Sequence, residues 1–271
     1  MEQHGMDFSL VRTYFHLSPE GFDHPLLELA AASLTDADAV IASIRAGSAL
    51  VQATGNELVA SFMGTSLCNL CATLLIFGAQ YDRLLDLSLT NLTFQAEQHD
   101  DHAHLGYRIG EVRWTDIPAE GRAEFLLERW TAYLREEIVP AVEAIATHAG
   151  MKSALIWNQY AYQLAYVRDF ILEHEPREEV KARFLSDYAL LTEGVPAEVF
   201  GRKTNPFLHR NPRYVDNPWQ PGKPLMMNSS CCLYHCRVDG EKCYTCPKMT
   251  PAERDARRER VLAELAGAAA G

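Results

Sequence analysis

The sequence predicts an α+β protein, mainly α, in which a helical body with a small antiparallel β-sheet is followed by an irregular C-terminal tail. Three observations predict it. Apolar residues recur at helical spacing through most of the first 200 positions, two alternating segments flank a polar run near residue 100, and prolines and then cysteines dominate the chain beyond residue 200. The divisions that follow are a body over 1–200, a connector with a cysteine module over 201–250, and a C-terminal surface helix over 251–271.

Within 24–54, Leu26, Leu27, Leu29, Ala30 and Leu34, then Val40, Ile41 and Ile44, keep helical spacing on either side of Thr35-Asp36, which predicts two short helices with a cap between them. From Glu57 to Gln80 the chain is apolar almost all round, as a helix buried in the core would be. Leu84–Phe94 and Gly106–Thr115 alternate, so they predict a β-hairpin whose long polar tip is the run QAEQHDDHAH. A helix follows over Arg122–His148, with Pro140 as a kink and Gly150 as its stop. Further helices are expected over Lys152–His174, halted by Pro176, and over Glu178–Thr192. Residues 200–230 hold Pro206, Pro212, Pro218, Pro221 and Pro224 and read as an irregular connector, and Pro251–Ala266 reads as a charged surface helix.

A chain of 271 residues with 48% hydrophobic side chains can bury a sizeable core. No run is expected to approach the roughly 18 uncharged apolar residues of a membrane span, so no transmembrane segment is expected. The start MEQHGMDFSLVRTYFHL lacks the basic tip and apolar core of a signal peptide, which makes a cytoplasmic location the expectation. Seven cysteines, an odd number without an export signal, then read as reduced thiols with chemistry of their own. The net charge of −11 argues against nucleic acid as a partner. Residues 201–250 run the other way, with eight Lys and Arg against three acids. That local basic charge either steers an anionic partner or simply offsets bound thiolates.

The segment SSCCLYHCRVDGEKCYTCP carries five of the seven cysteines. Thiolates are ligands for soft and borderline metals, and Cys243-x-x-Cys246, closed by Pro247, is a turn that can bring two sulfurs to one metal. The adjacent Cys231 and Cys232 would point to opposite faces of an extended strand, so the backbone must bend for both to serve one centre. A two-iron cluster relaxes that demand by spreading its ligands over two metals. Ten residues separate the pairs, and Val238-Asp239-Gly240 among them suits a turn. Cys236 could replace Cys231 or Cys232, and that spacing would serve structural zinc. By spacing alone, cluster and zinc fit alike.

The arrangement C-C-x10-C-x2-C-P resembles the C-terminal signature of FhuF-like ferric-siderophore reductases. The segment Ala154-Leu155-Ile156-Trp157-Asn158 is similar to that family's Leu-Trp-Gly-Asn-like stretch, with Gln159 departing from it. The rest of the body is similar in organisation to the C-terminal part of IucA/IucC-type siderophore synthetases. The resemblance implies a [2Fe–2S] cluster on Cys231, Cys232, Cys243 and Cys246, a siderophore-binding body, and one-electron reduction of a ferric siderophore, of hydroxamate type, fed by a ferredoxin or flavoprotein donor. Hard oxygen donors hold Fe3+ far better than Fe2+, so a single electron loosens the iron. The chain departs from the family in having Met226-Met227-Asn228, where a basic residue is common, and in the extra thiol of Cys236. Ser229, Ser230, Tyr244 and Thr245 carry hydroxyls that could tune a cluster, while Asn228 and Tyr244 read equally as turn residues. Two other functions fit the tail: general iron–sulfur electron transfer, and a non-catalytic siderophore-related or regulatory protein with a structural zinc held by four cysteines.

Other groups have weaker claims. Cys68 and Cys71 share a helical face inside the apolar run and read as core. His99-Asp100-Asp101-His102-Ala103-His104 has metal-ligand residue types but falls at the expected hairpin tip, where a solvated loop accounts for it. Trp157, Tyr160, Tyr162 and Tyr166 are expected to pack in the core, with a platform for a ferric complex as the rival role.

Overall fold

The computed structural model describes residues 2–3, 5–99 and 102–269. The chain starts with a two-residue hairpin, β1 (Glu2–Gln3) and β2 (Met6–Asp7), and a short helix, α1 (Ser9–Phe15), that ends on His16 with φ 56°. Two short strands follow, β3 (Leu17–Ser18) and β4 (Leu27–Ala30), and then a 3-10 turn over Ala31–Thr35. The first of the two expected short helices is therefore a strand. Leu27 and Leu29 turn towards the core while Glu28 and Ala30 face out, a period of two that the crowded leucines also let pass as helical. Helix α2 (Ala37–Val51) forms as expected, with the Asp36 carboxylate accepting from the backbone N–H of Asp38 at 2.9 Å and of Ala39 at 3.3 Å.

Helix α3 (Glu57–Tyr81) is the axis of the core and packs against α2 and against three later helices. Contrary to the sequence expectation, it is long and apolar enough to cross a membrane, for Leu58–Gln80 carries no charged side chain; 83% of its most apolar window is buried inside the protein. Cys68 and Cys71 lie in this packed interior, and burial pushes the Cys68 thiol well up and that of Cys71 to about 12. Both are neutral core residues.

Strand β5 (Arg83–Leu85) pairs with β8 (Trp114–Asp116) as a separate ribbon, and between them β6 (Leu92–His99) and β7 (His102–Ile109) form the main hairpin. The hairpin exists, but the polar run is not its tip: the register runs from Leu92↔Ile109 to His99↔His102, so the run is paired strand almost throughout. Alternation explains the difference. Phe94 and Ala96 with Leu105 and Tyr107 cover the core, while Thr93, Glu97 and His104 lie on the other face. The sheet order is β3-β7-β6-β4, with β3 parallel to β7, so the sheet is mixed rather than wholly antiparallel.

The helix expected over Arg122–His148 is continuous in direction but built in three pieces: α4 (Arg122–Tyr133), a widened π turn over Leu134–Ile138, and α5 (Val139–Ala149). Pro140 lacks an N–H for the carbonyl of Glu136, and the wide turn, closed by Val139 N–H to the Leu134 carbonyl, absorbs the misfit. Gly150 then ends the helix at φ 72°. Helices α6 (Ala154–His174) and α7 (Glu178–Ala189) follow as expected, the latter running into a second π turn over Leu190–Gly194. The connector contains one short strand pair, β9 (Tyr214–Val215) and β10 (Leu225–Met226), and α8 (Pro251–Ala269) closes the chain.

Glu175, just beyond α6, gives a pH test of this packing. Its carboxylate accepts from the Arg177 guanidinium at 2.7 and 2.9 Å, from the Arg177 backbone N–H at 3.1 Å and from Gln80 Nε2 at 3.2 Å. The Arg177 hydrogen bonds hold it well down, to about 2. A depressed folded pKa contributes stability above the unfolded value near 4.5 and loses it as pH falls towards 2. Glu175→Gln should cost about 1–3 kcal/mol at pH 7, and the gap to the parent in urea unfolding should close between pH 4.5 and 2.

Candidate metal centre

The tail is bent and pinned so that its cysteines meet. After Cys232 the chain turns left-handed at Leu233 (φ 64°), and the Cys236 N–H bonds to the Leu233 carbonyl at 2.7 Å. This is the bend that adjacent cysteines require. Asp239, in the expected turn, also has positive φ (54°), and the Gly240 N–H returns to the Arg237 carbonyl. The Cys-x-x-Cys turn closes with the Cys246 N–H on the Cys243 carbonyl at 2.9 Å.

The body holds these turns from several sides. Ser61 of α3 donates to the Cys232 carbonyl at 3.0 Å and is itself held by Gln159 of α6 at 2.9 Å. Ser229 donates to the Asn158 carbonyl at 2.5 Å, and the backbone beyond α2 bonds to Cys236 and Val238. From α8, Arg254 donates to the carbonyls of Tyr244 (3.1 Å) and Cys246 (2.9 Å). No local signal marks Ser61, Gln159 or Arg254 in the sequence, because each meets the tail only through tertiary packing.

The four sulfurs pair crosswise, one from each segment. Cys231 and Cys246 lie with Sγ atoms 3.7 Å apart in a small cluster with Leu233 and Met249, against which Cys236 and Cys243 pack, and Cys243 is near enough to Cys232 to lower its thiol pKa. A tetrahedral metal with bonds of about 2.3 Å to sulfur has an S–S edge of roughly 3.7 Å, so the inner pair already spans such an edge. Among the described residues no group of three or more His, Cys, Asp or Glu side chains is placed to hold a metal ion. Cys236 forms no sulfur–sulfur contact among the described residues but packs against the same cluster; its Sγ lies 3.8 Å from the His235 ring, which also lies 3.8 Å from Cys231.

Electrostatically the two pairs differ. Burial pushes Cys231 up to about 11. Cys232 is drawn down to about 6 by the hydrogen bond from Cys243, helped by the backbone N–H groups of Tyr234 and its own residue. Cys243, which keeps the shared proton, is raised. Cys232 and Cys243 are the half-buried pair. Asn228 Nδ2 approaches Cys243 Sγ at 3.7 Å and is oriented by the Thr245 hydroxyl at 2.8 Å, so Asn228 is more than a turn residue and Thr245 is the one expected tuning hydroxyl that sits near a sulfur. Ser229 instead anchors the tail, and Tyr244 packs edge-on against Trp219.

The remaining candidates lie elsewhere. His99 stacks on His104, and His104 on His16, along the outer face of the hairpin; Asp100 and Asp101 lie outside the described residues. Trp157 and Tyr160 are fully buried in the core, whereas Tyr162 and Tyr166 line an apolar groove of about 330 Å³ with Tyr14 and Phe170. The Ala154–Asn158 segment does reach the tail, through the Asn158 carbonyl.

The class that fold and site define is an α+β protein whose C-terminal tail gathers four thiols against a helical body. The sequence matches no model of a known protein family, and no curated protein matches it.

Proposed function

We propose that this protein is a ferric-siderophore reductase that holds a [2Fe–2S] cluster on Cys231, Cys232, Cys243 and Cys246 and acts in the cytoplasm. The observation that carries the reading is the crosswise pairing of the four sulfurs, with one pair at the edge length of a tetrahedral thiolate site. The C-C-x10-C-x2-C-P spacing, which resembles FhuF-like reductases, supplies the functional half. When bound, a plant-type all-cysteine cluster supplies single electrons at about −400 mV. The protein's own part is to supply two thiol pairs in different settings. Cys231 and Cys246 sit inside, sealed by Leu233 and Met249, while Cys232 and Cys243 stand towards the surface, where an electron donor and a ferric chelate can both approach. Asn228 and Thr245, placed at Cys243, set the polarity beside the outer sulfurs. The surplus of basic residues in 201–250 favours an acidic donor, a ferredoxin or a flavoprotein.

The test is direct. Protein purified without oxygen should be brown-red, contain iron and acid-labile sulfide in equal amounts, and give an electron resonance signal on reduction. Mixed in its reduced form with ferric siderophores and an Fe2+ trap, it should deliver Fe2+ to the trap. Colourless protein containing zinc would overturn the cluster. Cluster-loaded protein that transfers no electron to any chelate class would overturn the reductase reading.

A further inference from the structure

The connector and α6 enclose a polar cleft of about 260 Å³ that shares Asn228 and Ser229 with the cysteine site. Arg202, Arg210 and Arg213 line it, together with His209 and Asn158, and no Asp or Glu does. In a chain of net charge −11 this is an unusual concentration of unanswered positive charge. Arg202 is aimed by a 2.8 Å hydrogen bond to Asn158 Oδ1, and none of the three arginines has a carboxylate partner among the described residues. The Nε2 atom of His209 is buried without a hydrogen-bond partner among them. Burial and the nearby Arg168 hold that imidazole towards its neutral form. Asn228 stands between the two sites, in the wall of the cleft and 3.7 Å from Cys243 Sγ.

Guanidinium groups without carboxylate partners, grouped in a concave site, recognise carboxylates by paired N–H···O bonds. We infer that the cleft binds the ferric chelate itself, and that it selects anionic chelates bearing free carboxylates, with those carboxylates on Arg202, Arg210 and Arg213. This assignment rests on the reductase reading and narrows its substrate class. Three hydroxamates cancel the charge of Fe3+ and give a neutral complex with no free carboxylate for the arginines. A chelate built from hydroxamates and carboxylates remains negative. Bound here, it would lie beside the outer cysteine pair, with Asn228 as the shared wall.

Calorimetric titration of the oxidised, cluster-loaded full chain with gallium(III) chelates isolates binding from electron transfer, because gallium has no accessible lower state. A carboxylate-bearing dihydroxamate complex should bind, with affinity falling steeply as salt rises, and a neutral trihydroxamate complex should bind at least about tenfold more weakly. The double variant Arg210→Gln/Arg213→Gln changes two exposed side chains and should weaken the anionic complex by at least about tenfold. It should leave the neutral complex unchanged, and Arg129→Gln on α4, outside the cleft, should change neither. Equal binding of neutral and anionic complexes, or an unaffected double variant, overturns the inference. A tris-catecholate complex separates charge from carboxylate shape: binding as tight as that of the carboxylate chelate overturns the carboxylate assignment. The two readings fail separately. Tight, arginine-dependent gallium binding without reduction of the matching ferric chelate leaves the cleft and sinks the reductase, whereas reduction that ignores the arginine variant does the reverse.

Discussion

Serine at any one of Cys231, Cys232, Cys243 or Cys246 should strip the purified protein of its iron and acid-labile sulfide, while Cys236→Ser should keep both. The substitution is nearly isosteric, so the fold has little cause to change, but a serine hydroxyl does not ionise near neutral pH and is a hard donor. The expected iron content of the four variants is under about a tenth of the parent, the proportion left when a tetrahedral site loses a quarter of its ligands and its charge balance. Cys236 is the discriminating control. It lies close to the others in sequence and packs against the Cys231–Cys246 cluster, and by spacing it could replace Cys231 or Cys232, yet among the described residues its sulfur contacts the His235 ring and no other sulfur. Iron and sulfide assays beside circular dichroism of each variant decide the matter. A variant set in which Cys236→Ser loses the metal, and one of the other four retains it, would mean that the tail rearranges around a different ligand set.

Why the cysteines are legible in the sequence, and the cleft is not, comes down to range. Ligand spacing is a local property: the Cys243-x-x-Cys246 turn and the bend after Cys232 are made by neighbouring residues. The long helices are equally local, since α3 is apolar almost all round over its 25 residues and α6 and α7 keep helical spacing for several turns. Strand β4 fails because the leucines of 26–34 satisfy both periods, and the choice is made by β6, nearly seventy residues away, through Leu27↔Ala96 and Glu28↔Gln95. The polar run of the hairpin misleads for a related reason. Gln95 looks like a loop residue, but it is buried, accepts from the Phe22 N–H and donates to Glu28. The same holds for the site: the sequence shows Arg202, Arg210 and Arg213 only as part of a locally basic segment, and it is the fold of the connector over α6 that puts them around one cleft.

The largest stability effect is expected at Arg122, which ties α4 and α7 to α3, the core helix whose Ser61 holds the cysteine tail. Its guanidinium donates to both oxygens of Asp187 on α7 (Nε at 3.1 Å, Nη2 at 2.5 Å), to Asp82 beyond α3 (2.6 Å) and to the Gly78 carbonyl of α3 (3.0 Å), all from the first residue of α4. The Asp187 side chain is 1% exposed, and burial raises its carboxyl against the pull of Arg122. Arg122→Ala would therefore leave a buried carboxylate without its charged partner, at a cost of about 3–5 kcal/mol near neutral pH. The sign of the pH dependence follows from the same burial. Without the guanidinium, the folded-state pKa of Asp187 rises further, so protonation relieves the variant more than the parent and the deficit shrinks as the solution is acidified through that pKa. Asp187→Asn in the same background should recover part of the loss at neutral pH, because it removes the stranded charge. Urea unfolding at pH 7 and pH 5 measures all three quantities, and a deficit under about 1 kcal/mol at pH 7, or one that does not change with pH, would show that water reaches Asp187 and that the helices do not depend on this pair.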